Sequence, residues 1–230
     1  MRFSDWGDRA LIEESAAIAN RRPLEVRRQP WVRRLARSLV RAGITPNQIS
    51  LASIGLAAAG AAAYGSSILT DGFLKGASLA VAAALIQLRL LANLLDGVMA
   101  MEEGQRTAAG PIYNELPDRA ADSLFLVAAG YAGGWDALGW AAALLAAILA
   151  YVRQLGGSLG LQQDFCGPMA KQHRMAMLSA GSLAAAFFPN TPCLALALIL
   201  IVAGSFITLW RRTRRMADAL NLQPPPGAND

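Results

Sequence analysis

Residues 76–101 read GASLAVAAALIQLRLLANLLDGVMAM. Over this length only Arg89 and Asp96 carry charge. A helix of about 20 predominantly apolar residues crosses a hydrocarbon layer about 30 Å thick. Hydrocarbon offers the backbone no partners, so such a run folds as a helix that bonds to itself. Similar runs recur along the chain. The predicted spans are residues 49–69, 74–100, 112–131, 137–155, 170–188 and 193–210. Asp71-Gly72, a polar loop at 102–110, Gly133-Gly134, a glycine-rich loop at 156–168 and Pro189-Asn190-Thr191-Pro192 separate them. The expected fold is all-α, a polytopic integral membrane protein with six transmembrane helices and an N-terminal amphipathic interfacial helix.

Composition points the same way. Of 230 residues, 54% are hydrophobic and 16% charged, against about 45–50% and about 25% in soluble domains. Mean hydropathy is +0.34. These values exclude a disordered chain and argue against a soluble domain. Two cysteines, Cys166 and Cys193, and one histidine, His173, make no zinc cage. The net charge of +5 lacks the aromatic interleaving of a nucleic-acid platform.

The chain divides into a basic segment at 1–42, a membrane domain at 43–212 and a tail at 213–230, read as disordered from its proline run. Eight arginines lie between Arg21 and Arg41. From Trp31 onward, Trp31, Val32, Leu35, Ala36 and Leu39 share one helical side and Arg33, Arg34, Arg37 and Arg41 the other. Such a helix suits the surface of an anionic leaflet. Both flanks and the loops at 102–110 and 156–171 hold nearly all the basic residues, which predicts cytoplasmic termini. Trp6, Trp31, Trp135, Trp140 and Trp210 fit interfacial anchors, and Gly55 and Gly60 fit helix packing.

Ionisable groups inside apolar spans mark function. Arg89, Asn93 and Asp96 follow at i, i+4 and i+7; Asn114, Asp118 and Asp122 follow at i, i+4 and i+8. Each set shares one helical face. A loop of about ten residues joins the two helices, so they are expected to be antiparallel neighbours. Their oxygens together suit a hard cation. A structural Asp–Arg network, with Arg89 and Arg119 compensating Asp96 and Asp118, explains the same residues without chemistry.

The spacing separates these readings. Asn93, Asp96, Gly97, Ala100, Met101, Gly110, Asn114 and Asp118 stand in a register that resembles the signature of the CDP-alcohol phosphatidyltransferase family. That signature reads D-x-x-D-G-x-x-A-R, eight residues, G-x-x-x-D-x-x-x-D. Asp96, Gly97, Ala100, Gly110 and Asp118 match, while Asn93, Asn114 and Met101 depart. The pattern is similar to a variant subgroup with Asn at the first and third aspartates. Thr45-Pro46-Asn47 and the six spans extend the resemblance over most of residues 43–210.

The resemblance implies transfer of a phosphatidyl group from CDP-diacylglycerol to an alcohol, with release of CMP. It implies Mg2+ or Mn2+ held by Asp96 and Asp118, with Asn93, Asn114 and Asp122 assisting. Asp118 would be the general base. Asn47, Asp96, Gly97, Ala100 and Gly110 would bind the nucleotide donor. Arg153, Lys171 and Arg174 would hold an anionic acceptor. The resemblance further implies a homodimer in a bacterial cytoplasmic membrane. A small transporter and an inactive scaffold are the alternatives.

Overall fold

The computed structural model describes residues 29–102, 104, 107 and 109–222. Residues 1–28, most of the 103–108 loop and 223–230 lie outside them, as does Trp6. The described residues are helical, in seven helices. They are α1 (Pro30–Arg41), α2 (Pro46–Leu69), α3 (Gly72–Glu102), α4 (Gly110–Ala132), α5 (Asp136–Ser158), α6 (Lys171–Phe187) and α7 (Cys193–Asn221). Four of them, α2, α3, α5 and α7, are long and apolar enough to cross a membrane. The six expected spans all appear as helices. However, α4 carries several charges and α6 has only 17 residues, so those two do not reach that standard.

Local chemistry sets the helix starts. Thr45 accepts from the Gln48 amide at 3.3 Å, and the Gln48 side chain accepts from the Thr45 amide at 2.9 Å. This capping box, followed by Pro46, opens α2. Gly134 takes φ +71° in the turn between α4 and α5, a conformation that glycine adopts without a steric penalty.

Helices α2 to α7 close into a ring. α2 packs on α3 and α4, α4 on α5, α5 on α7, α7 on α6, and α6 on α3. The core runs down its middle through Tyr64, Ile86, Phe125, Leu126, Leu178, Leu198 and Ile201. Small residues bring the helices close. A Cβ on Gly60 would lie 2.2 Å from the Phe125 ring. A Cβ on Gly139 would lie 2.8 Å from the Leu126 carbonyl, so α4 and α5 nearly touch backbone to backbone. Gly55 has open space beside it, so the expected packing role holds for Gly60 alone.

Two expectations are corrected. First, α3 and α4 are not closely packed neighbours: α2 lies against both. Long charged side chains bridge α3 and α4, whereas Ala57 and Gly60 let α2 approach closely. Second, the last helix does not stop near Trp210. It runs to Asn221 through residues assigned to a disordered tail. The stretch from Arg211 to Leu220 is rich in good helix formers, and Arg214 faces Asp218 at 4.0 Å one turn on.

Residues 30–41 are helical as α1. Val32 and Ala36 are buried against Leu95, Val98 and Met99 near the end of α3. Trp31 and Leu35 stay exposed beside the arginines.

Replacing Gly139 by Leu should push α4 and α5 apart. Overpacking of this kind destabilises by about 1–3 kcal/mol. The expected result is a lower unfolding midpoint in detergent, while Gly55→Leu leaves the midpoint unchanged.

Candidate active site

The second half of α3 and the first half of α4 carry the polar residues. On α3, Arg89 has no exposed surface and Asp96 is buried. On α4, Pro117 lies inside the helix and Asp118 and Asp122 are buried. Proline lacks the amide hydrogen that would bond one turn back, which loosens the backbone where Asn114 and Asp118 stand.

Arg89 ties the two helices together. Its Nη2 donates to Asp118 Oδ1 at 2.8 Å and to the Asp118 carbonyl at 3.2 Å. The same nitrogen lies 3.1 Å from Asp122 Oδ1. Asn93 Nδ2 donates to Asp118 Oδ1 at 2.5 Å. On the other oxygen, Lys171 Nζ donates to Asp118 Oδ2, with Arg119 at 3.5 Å. Asp122 Oδ2 accepts from Arg174 at 3.3 Å.

Asp96 differs. It accepts from the Ser50 hydroxyl at 2.6 Å, and no ion pair to it is found among the described residues. Asp118 and Lys171 lie within electrostatic reach of it. It is therefore the carboxylate with capacity for a further cation. Asn47, three residues before Ser50, donates to Thr107 Oγ1 at 3.3 Å and ties the start of α2 to the 103–109 loop. Gly110 opens α4 beside Thr107. A Cβ there would meet nothing closer than 3.4 Å, so the glycine leaves free space. Gly97 and Ala100 are half-buried on α3, and Asn114 is exposed.

The structure thus bonds Asn93 to Asp118, with Asp96 on the same side of α3 as Asn93. Asp122 is turned aside and neutralised by two guanidinium groups. Asparagine and aspartate oxygens suit a hard divalent cation in kind. Among the described residues no three His, Cys, Asp or Glu side chains converge to hold a metal. The donor set fits a metal ion centred on Asp96, with less negative charge than an all-aspartate site.

The three basic residues expected to share an acceptor site are separated. Lys171 sits on Asp118. Arg174 is buried, bonded to Asp122 and the Met169 carbonyl. Arg153 alone reaches a cavity, of about 240 Å³, lined also by Gln162, Asp164, Arg212, Arg215 and Met216. Arg153 donates to Glu115 at 2.5 Å and lies over the Phe165 ring. Arg212 is buried and donates to the Cys166 and Leu149 carbonyls at 2.9 and 3.3 Å. Arg215 lies 3.7 Å from Asp164. The cavity adjoins the acid cluster through Arg153, Glu115 and Arg119.

Sequence reasoning missed Ser50, Arg212 and Arg215. Ser50 is one serine among many, and its partner lies 46 positions away. The two arginines lie beyond Trp210, where the apolar run ends, and so read as part of the basic flank.

No family model matches the chain. Among curated proteins, it is 29% identical over 205 residues to the phosphatidylinositol phosphate synthase of Mycobacteroides abscessus, covering 83% of this chain and 86% of that protein. It is 25% identical over 202 residues to the synthase of the same name from Mycolicibacterium smegmatis, covering 84% and 86%. Such a synthase is a CDP-alcohol phosphatidyltransferase. Among solved structures, the fold is similar to that of phosphatidylinositol phosphate synthase from Mycobacterium tuberculosis. The form with manganese and citrate has a TM-score of 0.67 at 22% identity, covering 86% of this chain and 92% of that one. The form with CDP-DAG bound has a TM-score of 0.65 at 23% identity, covering 86% and 96%.

Arg89→Met should leave Asp118 and Asp122 short of their shared cation. Removing one member of a buried ion cluster costs about 3–5 kcal/mol. A large drop in the detergent unfolding midpoint is expected, well beyond that of Arg119→Met, whose side chain is partly exposed.

Proposed function

We propose that this chain is an enzyme of phospholipid synthesis that moves a phosphatidyl group from CDP-diacylglycerol to a phosphorylated alcohol, with release of CMP. The observation that carries the reading is the juxtaposition of Asp96 and Asp118 with an arginine-lined cavity on the same end of the bundle. The relatives support it, since they match over most of both chains and make a phosphatidyl-linked phosphate ester by name. The bound CDP-DAG in a protein of the same fold supports the donor.

In this reading the acceptor phosphate rests in the cavity against Arg153, Arg212 and Arg215. Guanidinium groups match phosphate oxygens in a planar fork. Lys171 and Arg174, expected at that site, stand nearer the carboxylates. The nucleotide lies along Asn47, Gly97, Ala100 and Gly110, where small side chains leave room. Asp118 takes the proton of the acceptor hydroxyl as that oxygen attacks the lipid-side phosphorus. The bond to CMP breaks and CMP leaves with the electron pair. Positioning and charge neutralisation do most of the work in such transfers.

A divalent ion, Mg2+ or Mn2+, would be held by Asp96 and Asp118 with the carboxamides of Asn93 and Asn114. When bound, it neutralises charge on the donor diphosphate. Manganese in the neighbour supports a divalent metal. Asp122 serves this site as the counter-ion of Arg89 and Arg174. The transporter reading has less support, because the buried acids Asp118 and Asp122 are paired with arginines at one end of the bundle.

We place the protein in a bacterial cytoplasmic membrane, with the site and both termini on the cytoplasmic side. The arginines of α1, the cavity arginines and those ending α7 support this orientation. Helix α1 would then lie at the headgroup level, with Trp31 and Leu35 toward lipid.

Two measurements test the reading on purified protein given CDP-diacylglycerol, Mg2+ or Mn2+, and a panel of alcohols and phospho-alcohols. Asp118→Asn should reduce CMP release by about 100-fold or more while the helical signal persists; unchanged turnover removes Asp118 as the base. Arg212→Ala should raise KM for the phosphorylated acceptor and leave KM for CDP-diacylglycerol alone. Equal effects on both would place the acceptor elsewhere.

A further inference from the structure

Among the described residues three acids are buried, Asp96, Asp118 and Asp122. Two of them are held by cations. Asp118 and Asp122 share Arg89, with Lys171 and Arg174 on their other oxygens. Asp96 is held by neutral donors instead. The Ser50 hydroxyl donates to its Oδ2 at 2.6 Å, and the Gly97 amide bonds to the same carboxylate. An arginine in the place of Ser50 would cancel the charge of Asp96. A hydroxyl is uncharged, so it holds the group and leaves the charge in place.

Ser50 also differs from other serines of its helix. Ser53 and Ser67 donate to the carbonyls of Ser50 and Tyr64 at 2.7 and 2.6 Å, both within α2. Bonding back to the preceding turn is a common choice for a serine in a helix. The Ser50 proton goes to another helix, 46 positions along the chain. Ser50 is buried, so little water competes for that bond. Its backbone is fixed as well. The Thr45–Gln48 capping box and Pro46 set the first turn of α2. Asn47, three residues earlier on the same face, ties that turn to Thr107.

We infer that Ser50 is a positioning residue for the divalent cation of the proposed function: its hydroxyl fixes the carboxylate of Asp96 in the orientation that receives the ion. The inference rests on the metal in that reading. The last torsion of an aspartate is broad, so the side chain alone does not fix the plane of its carboxylate. A hydrogen bond from a rigid neighbouring helix does. Losing the partner that orients a metal ligand costs about 10–100-fold in metal affinity. Asn93 and Asn114 bring no charge to the site, so the orientation of Asp96 counts for more than it would among four carboxylates.

The test is Mn2+ uptake by the purified full chain, read from the loss of the free-ion EPR signal as Mn2+ is added without substrate. Wild type, S50A and S53A are compared. Ser53 is buried on the same helix and its hydroxyl stays within α2, so S53A reports any general disturbance of that helix. S50A should bind Mn2+ about tenfold more weakly or worse, while S53A matches wild type. Equal affinity in S50A and wild type overturns the inference. So does an S53A variant weakened as much as S50A. S50C keeps nearly the size of serine with a weak donor; it should lose affinity in the same direction, and it decides the matter if S50A does not fold.

CMP release gives a second readout. In S50A the Mn2+ concentration for half-maximal rate should rise about tenfold or more, and saturating Mn2+ should recover most of the rate. A rate lost at every Mn2+ concentration overturns the positioning role. The uptake measurement also separates this inference from the reading beneath it. Tighter Mn2+ binding by wild type than by S50A, with CMP released to no alcohol, defeats the transferase reading and leaves the role of Ser50 standing. Wild type that takes up no Mn2+ overturns the metal and this inference together.

Discussion

Arg89 has none of its surface exposed, and a bundle of apolar helices gives it no bulk water. A buried charge of this kind is tolerated only when opposite charges and hydrogen bonds surround it. Asp118 and Asp122 supply the opposite charge from α4, both at Nη2. This one requirement fixes how α3 and α4 face each other, although α2 takes up the close packing between them. It also fixes the orientation of Asp118, one oxygen of which is turned to Arg89 and Asn93. The other oxygen accepts from Lys171.

The rest of the bundle serves this arrangement. Gly60 and Gly139 let α2, α4 and α5 approach until little space remains, so the polar cluster is held by rigid neighbours. Thr208 accepts from the Met169 amide and anchors the loop that leads into α6. Lys171 and Arg174 begin that helix. Arg212 joins α7 to the same loop through the Cys166 carbonyl and to α5 through the Leu149 carbonyl. The cavity therefore forms where three separate elements are tied together by one buried arginine. Its wall of guanidinium groups adjoins the carboxylates of α4 through the Arg153–Glu115 pair.

The polar residues of α3 and α4 were readable from spacing alone. Asn93, Asp96 and Asp118 fall on helical faces in register, and the structure bonds Asn93 to Asp118. Asp122 shares that spacing and was expected to help hold a metal; its charge is instead taken by Arg89 and Arg174. Helical periodicity places a residue on a face and says nothing about which neighbour that face meets. Arg153, Lys171 and Arg174 look alike as basic residues near one loop. In the structure the first lines a cavity, the second meets Asp118 and the third is buried.

The sequence by itself determined the helical class, the apolar runs and the positions of the motif residues. These follow from local rules: backbone hydrogen bonding in an apolar medium and the 3.6-residue repeat. Only the tertiary structure decided that α2 lies against both α3 and α4, that Ser50 meets Asp96, that α7 continues to Asn221, and which cation pairs with which acid. Those outcomes depend on packing between segments far apart in the chain and on the balance of buried charge. Neither is written in any single stretch of residues.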